Sequence, residues 1–291
     1  MRLVRILTIA HLVALVFGLA GILIALPNPH LWADSPLGVA TFTFGMQHAG
    51  ALHIVFGAAA MLAFGARAIG WRKTGIFFVV SVAISLASEL IGTATGWPFG
   101  NYAYTEGLGW KVLGRVPYTI PLSWFYVGFA SYLLAGAVLA RVTPASLSGR
   151  GRAWGEVLLG SWFLLVWDLV LDPAMAHESL PIKFWIWYES GSFFGMPMQN
   201  LAAWYVTGLV FMGVSRLAWR DGLPHGAPLV WIPLTIFVAN CAFAAVLSAS
   251  VGLWQPIPLA IVCGLAPLAI LAILPGARRT GGSRVSSLAG S

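Results

Sequence analysis

Charge is what this chain has least of. Of its 291 residues nine are acidic and sixteen basic, so 9% are charged, against about 25% in a typical soluble domain. Hydrophobic residues make up 59%, and the mean hydropathy is +0.86. So little charge points to a membrane protein before any segment is located. Cysteine is nearly absent. Cys241 and Cys263 both fall inside apolar segments, which argues against a disulfide or metal pair and for two small buried hydrophobes. The six histidines are His11, His30, His48, His53, His177 and His225. They do not form the clustered boxes that a membrane di-iron oxygenase needs, and His48 and His53, five apart, do not share a helix face. No strand–GxGxxG–helix unit, Walker A motif or Gly-x-Ser-x-Gly elbow is present. Oxidative, nucleotide-driven and serine-hydrolase chemistry all lose ground. The net charge of +7 does not imply a nucleic-acid partner, because the basic residues lie in short clusters between apolar runs, as in membrane topology.

Eight apolar segments can be drawn: Val4–Leu26, Phe44–Ala66, Gly75–Thr93, Ile120–Ala140, Trp154–Leu171, Leu201–Arg216, Leu229–Ser250 and Ile257–Leu274. Each approaches the roughly 20 residues that span a bilayer. The first is longer than a signal-peptide core and lacks a clear cleavage site, so it reads as an uncleaved anchor. Thirteen of the sixteen Lys and Arg fall on one side of these segments; the other side receives Lys111, Arg115 and Lys183. The positive-inside rule then makes both termini cytoplasmic. The expected architecture is an all-α, polytopic bundle over residues 1–275, in a bacterial or archaeal cytoplasmic membrane, with a Gly/Ser/Arg-rich disordered tail at 276–291. The two longest loops, 94–119 and 172–200, fall together on the outer side and are dense in aromatics. Loops of that length are usually functional or disordered, and this composition favours function. The Gly-x-x-x-Gly pairs Gly92/Gly96, Gly96/Gly100 and Gly191/Gly195 sit at helix ends or in these loops and read as turn residues.

Three acids stand in the wrong solvent. Glu89 lies in the outer part of the third segment. Asp168 and Asp172, one helical turn apart on one face, lie in the outer part of the fifth. None has a Lys or Arg within its own segment. A charge at mid-bilayer costs roughly 2.5–3.5 kcal/mol on the milder insertion scale, so at least one is expected to stay protonated, as a potential proton donor. Bland roles are open for each: Asp172 precedes Pro173 and could end its helix, Asp168 could be a hydrogen-bonded core acid, and Ser85 and Thr93 could satisfy Glu89. Glu156, near the other end of the fifth segment, reads as interfacial. His177, beside Asp172 and Glu178, is the one histidine placed to join these acids.

Fourteen tryptophans are partly explained by an interfacial belt. A π-lined pocket for a polyene or a carbocation is the sharper reading. It is favoured for Trp97, Tyr102 and Tyr104, which follow the Glu89 helix through a Gly-Pro turn.

Three stretches carry a resemblance: E-x-x-G-x-x-T-G-x-P-F-G-x-Y-x-Y from Glu89, D-x-x-x-D-P-x-M from Asp168, and W-x-W then G-x-P-x-x-N within Trp185–Trp204. They resemble the membrane-integral carotenoid biosynthesis family, which includes carotenoid 1',2'-hydratases and bisanhydrobacterioruberin hydratases. Phe194 stands where a Tyr is expected, which removes a hydroxyl there. The resemblance implies cofactor-free, metal-free hydration of a terminal isoprenoid double bond in a C40 or C50 carotenoid drawn from membrane lipid, with other pathway enzymes as potential partners. On the residues, Glu89 or Asp168 would protonate the alkene and Asp172 would orient water. Trp97, Phe99, Tyr102, Tyr104, Trp187, Asn200 and Trp204 would bind substrate. Three alternatives stay open: a lycopene-type cyclase, an intramembrane prenyltransferase holding Mg²⁺–diphosphate on Asp168 and Asp172, and a proton-coupled transporter.

Overall fold

The computed structural model describes residues 1–142, 149–219, 221–223 and 230–273; the tail expected at 276–291 lies outside the described residues. Among the described residues eight helices are long and apolar enough to cross a membrane: α1 Arg2–Ala25, α2 Pro36–Ala68, α3 Trp71–Thr95, α4 Thr119–Val142, α5 Gly149–Met175, α6 Met198–Ala218, α7 Trp231–Ser250 and α8 Pro256–Ile273. The chain is thus a polytopic helical membrane protein, as composition and hydropathy led one to expect.

Most helices run past their expected bounds, and two do so for legible local reasons. α2 begins at Pro36, eight residues before Phe44. Ser35 caps it by accepting the Gly38 N–H at 3.3 Å, and Pro36 sits at a first-turn position that needs no N–H. Its 33 residues make a rod about 50 Å long at 1.5 Å per residue, well beyond the ~30 Å hydrocarbon layer. α5 runs on to Met175 with Pro173 inside it. Asp172 is therefore a helical residue and does not end its helix.

α4 and α5 form the centre and are buried around most of their circumference, while the other six helices each present a flank outward. On α1 that flank carries Leu3, Ile6, Ile9, Val13 and Val16. Such an apolar exterior is stable against lipid rather than water. A polar tie joins α1, α2, α4 and α7: His11 Nδ1 meets the His53 carbonyl at 2.7 Å, Asn240 Nδ2 meets His11 Nε2 at 3.1 Å, and the Tyr126 hydroxyl donates to Asn240 Oδ1 at 2.7 Å. At the opposite end Glu156 is buried and pairs with Arg152, one turn away, at 3.3 Å.

The two long loops are not independent. Tyr102–Tyr104 (β1) pairs antiparallel with Trp185–Trp187 (β4), with Tyr102 opposite Trp187 and Tyr104 opposite Trp185. The ladder is extended by Thr105 N–H to the Phe184 carbonyl and Tyr188 N–H to the Asn101 carbonyl. Between them Lys111–Val112 (β2) and Val116–Pro117 (β3) form a second short pair.

Candidate active site

The stretch after Glu89 folds back on its own helix. Gly96 closes α3 in the left-handed conformation, φ +78°, which a glycine adopts without strain. Gly92, one turn after Glu89, leaves the space into which Phe99 and the Tyr102 ring pack: a Cβ there would lie 2.8 Å from Phe99 and 3.2 Å from the Tyr102 hydroxyl. The chain then returns as β1. Residues two apart on a strand face the same way, so Tyr102 and Tyr104 both point at the helix they came from. Both hydroxyls donate to Glu89 Oε2, Tyr104 at 2.9 Å. Trp124, in the first turns of α4, donates its indole N–H to Glu89 Oε1 at 3.0 Å. The partners expected for Glu89 do not serve it: Thr93 bonds the Glu89 backbone carbonyl, and Ser85 bonds that of Val82.

Register places the second loop over the same carboxyl. Paired residues of an antiparallel ladder share a face, so Trp185 and Trp187 stand beside Tyr104 and Tyr102, with ring centroids 6.0 and 5.2 Å apart. Ile186, on the other face, is exposed. Four rings from two loops thus close one end of the site. Trp124 stacks on Trp204 of α6 at 3.8 Å, and Trp167 meets Trp204 edge-on at 5.8 Å.

Across this wall stand the aspartates. Asp168 and Asp172 are both buried in the last turns of α5, one helical turn apart on one face. Asn200, in the first turn of α6, donates its amide to Asp172 Oδ2 at 2.8 Å and Asp168 Oδ2 at 3.3 Å, and lies 2.8 Å from the Met196 sulfur. Three acceptors around one amide nitrogen fix its orientation. Asp168 Oδ1 is buried without a partner among the described residues.

Glu89, Asp172, Asn200 and Trp204 line one cavity of about 60 Å³ together with Phe99, Tyr102, Tyr104, Trp124, Trp167, Trp185 and Trp187. Of the expected site residues, Asp168 lies behind Asp172 and does not reach this cavity, although it touches the same amide. Trp97 stands apart: its side chain is 70% exposed, on the far side of the turn. His177 is half-buried and accepts the Ser179 N–H, away from the acids. Phe194 does not line the cavity either. Trp124, Trp167, Trp185, His53, Tyr126 and Asn240 do line it and were not expected there. A helix-borne ring carries no mark in the sequence that separates a cavity wall from an interfacial belt. The indole N–H groups of Trp167 and Trp187 are buried without partners among the described residues, which leaves two donors in the wall for a water oxygen.

The donor set does not suit a cation. Among the described residues no three His, Cys, Asp or Glu gather as a ligand set. Asn200 directs an N–H between the aspartates where a cation would need an oxygen, and no Lys or Arg lines the cavity to meet a diphosphate.

The profile of a family described as carotenoid biosynthesis protein matches residues 49–267, a range that holds every lining residue above. Bisanhydrobacterioruberin hydratase of Haloarcula japonica is 34% identical over 139 residues, 48% of this chain and 43% of that protein. The chain thus spans less than half the length of this curated relative. No solved structure matches.

Proposed function

Since the chain belongs to the carotenoid biosynthesis protein family, we propose that it is a hydratase adding water across the terminal isoprenoid double bond of an acyclic or monocyclic carotenoid. The observation that carries this reading is an asymmetry across one aromatic cavity. Glu89 has two oxygens and three donors, from Tyr102, Tyr104 and Trp124. The aspartate pair has four oxygens and the single amide of Asn200. The pair is therefore the proton holder and Glu89 the acceptor.

In the reaction the Asp172 proton passes to the CH carbon of the terminal (CH₃)₂C=CH unit. The π electrons form the new C–H bond and leave a tertiary cation on the neighbouring carbon. The faces of Trp204, Trp124 and Tyr102 and the charge of Glu89 stabilise it. A water oxygen, held by the free indole donors, forms the C–O bond, and its proton leaves towards Glu89. Transfer of that proton back to the aspartates closes the cycle, and the net change is one water added. Asp168 acts behind Asp172 by sharing the proton. These roles differ from the order expected on sequence, in which Asp172 served only to orient water. The same reading places both termini in the cytoplasm and the β1–β4 cover on the outer face of a cytoplasmic membrane, where water is at hand.

The test is expression in a host that accumulates lycopene, with mass spectrometry of its carotenoids. Hydration adds the mass of one water per end group. A product of unchanged mass would mean cyclisation instead, and an unaltered carotenoid pool would sink the proposed activity.

A further inference from the structure

The site cavity is far smaller than a carotenoid. Its ~60 Å³ leaves room for no more than the reacting end of a substrate, against roughly 300–1,000 Å³ for the pocket of an ordinary small-molecule ligand. A second cavity of about 720 Å³ adjoins it between α1, α2 and the cover loops. The two share His53, Met175 and Phe243 in their walls. On α2 its lining runs from Leu37 to His53, about 24 Å at 1.5 Å per residue, and so includes the turns by which α2 exceeds a bilayer span. The wall is almost wholly apolar. Its one charged residue is Glu106, which pairs with Lys111 at 2.9 Å.

Small residues open this space. Gly18 and Gly21 of α1 both line it; a Cβ on Gly21 would meet nothing within 4 Å, and one on Gly18 would only touch Ala49 at 4.0 Å. At the junction the Ala49 carbonyl accepts from His53 Nδ1 at 3.2 Å. That fixes the tautomer and leaves His53 Nε2, with no partner among the described residues, beside the passage.

We propose that this second cavity is the binding site for the long hydrocarbon part of the substrate, an extended isoprenoid polyene. The reacting end passes His53, Met175 and Phe243 to reach the acids. This rests on the hydratase reading but concerns binding, so the two can fail separately. The shared wall residues, the apolar lining and the lack of any unpaired charge favour a hydrocarbon occupant over a polar one.

The test fills the cavity from α1. Gly21→Trp and, separately, Gly18→Phe place a ring in open space without displacing backbone. Gly75→Trp, where a Cβ also meets nothing within 4 Å but which lines neither of these two cavities, controls for a bulky residue on a helix. Each protein is purified from the lycopene-accumulating host, and bound polyene per protein is read by absorbance. Turnover is then compared between lycopene and a short isoprenoid alkene with the same end group. Both plugs should lower bound polyene and lycopene turnover about tenfold or more, a difference of about 1.4 kcal/mol, while the short alkene stays near the wild-type rate and Gly75→Trp changes neither. Wild-type polyene content in both folded plug variants overturns the proposal. Equal losses on the long and short substrates also overturn it, as does displacement of phospholipid alone. Plug-sensitive binding without hydrated product from the wild type would sink the hydratase reading and leave the binding site standing.

Discussion

Glu89 and the Asp168–Asp172 pair are buried at the same end of one bundle and share one cavity, yet their surroundings are opposites. Two tyrosine hydroxyls and an indole converge on Glu89. The aspartates crowd each other around a single amide, and one oxygen has no partner among the described residues. The first environment supplies hydrogens and the second demands one. Two acids with opposite deficits, one on each side of an aromatic gap, are what proton delivery and proton removal require within one turnover. The comparison also explains why the cover is a two-stranded ladder rather than a loose loop. Only a strand brings Tyr102 and Tyr104 to bear on one oxygen, and only pairing with Trp185–Trp187 holds that strand over the helix end.

The most severe break is Asp172→Asn. It keeps shape and hydrogen bonding but removes the cavity-facing carboxyl, and product should fall about 10²–10⁴-fold, the usual contribution of a general acid. Detergent-purified variant should elute and melt like the wild type. A variant that retains near-normal hydration would show that the aspartates hold no catalytic proton.

Glu89→Gln probes the other side. Its amide oxygen can accept from Trp124 and its NH₂ can donate to the tyrosine oxygens, so the packing survives while the charge is lost. Product should fall about 10²-fold, the scale of one electrostatic stabiliser, with little change in thermal stability. Loss of folding instead would mean that the three donors require a carboxylate for structure. Tyr104→Phe asks less. It removes one donor of three, at about 1.5–3 kcal/mol for a hydrogen bond to a charged group, and only the part that grows in the transition state appears in the rate. We expect about a tenfold loss, measured as product per cell relative to protein, with Tyr102→Phe similar and the double variant close to Glu89→Gln. If the double variant equals either single one, the hydroxyls do not act on Glu89 independently.

Much of the bundle was legible in the sequence because a lipid solvent leaves a simple signature. Apolar runs of fixed length need no knowledge of neighbours. The acids were legible for the same reason: in a chain with nine of them, Glu89, Asp168 and Asp172 stand out against apolar segments. Which side chains bond them was not: Tyr102, Tyr104 and Asn200 were expected against substrate, and Trp124 was not expected at all. Trp124 and Asn200 reach the acids only through packing of α4 on α3 and α6 on α5, and a single sequence does not encode which helices adjoin. Register was hidden likewise. The i, i+2 spacing in Tyr102-x-Tyr104 and Trp185-x-Trp187 is visible, but strands of three residues are too short to announce themselves. Trp97 shows the converse failure. Position in the motif placed it in the pocket, and the turn at Gly96 carries it to the surface.

The subtlest distinction between the two clusters lies in the tyrosines. Burial, and then the charge of Glu89, push both phenols well above their ordinary value, which is about 10. With ordinary values the hydroxyls would begin to ionise near that pH, and the Glu89 cluster would become as rich in acceptors as the aspartates. The native state holds these protons to higher pH than the unfolded chain does. Stability linked to the pair is then fully present below about pH 10 and falls as the pH climbs above it. Thermal unfolding in detergent should therefore fall off more steeply above that pH for the wild type than for the Tyr102→Phe/Tyr104→Phe double variant. Hydration, in turn, should show no tyrosine-dependent loss below it. Equal alkaline slopes for the two proteins would mean that the hydroxyls titrate freely, and the donor-rich side of the cavity would lose its claim to be different.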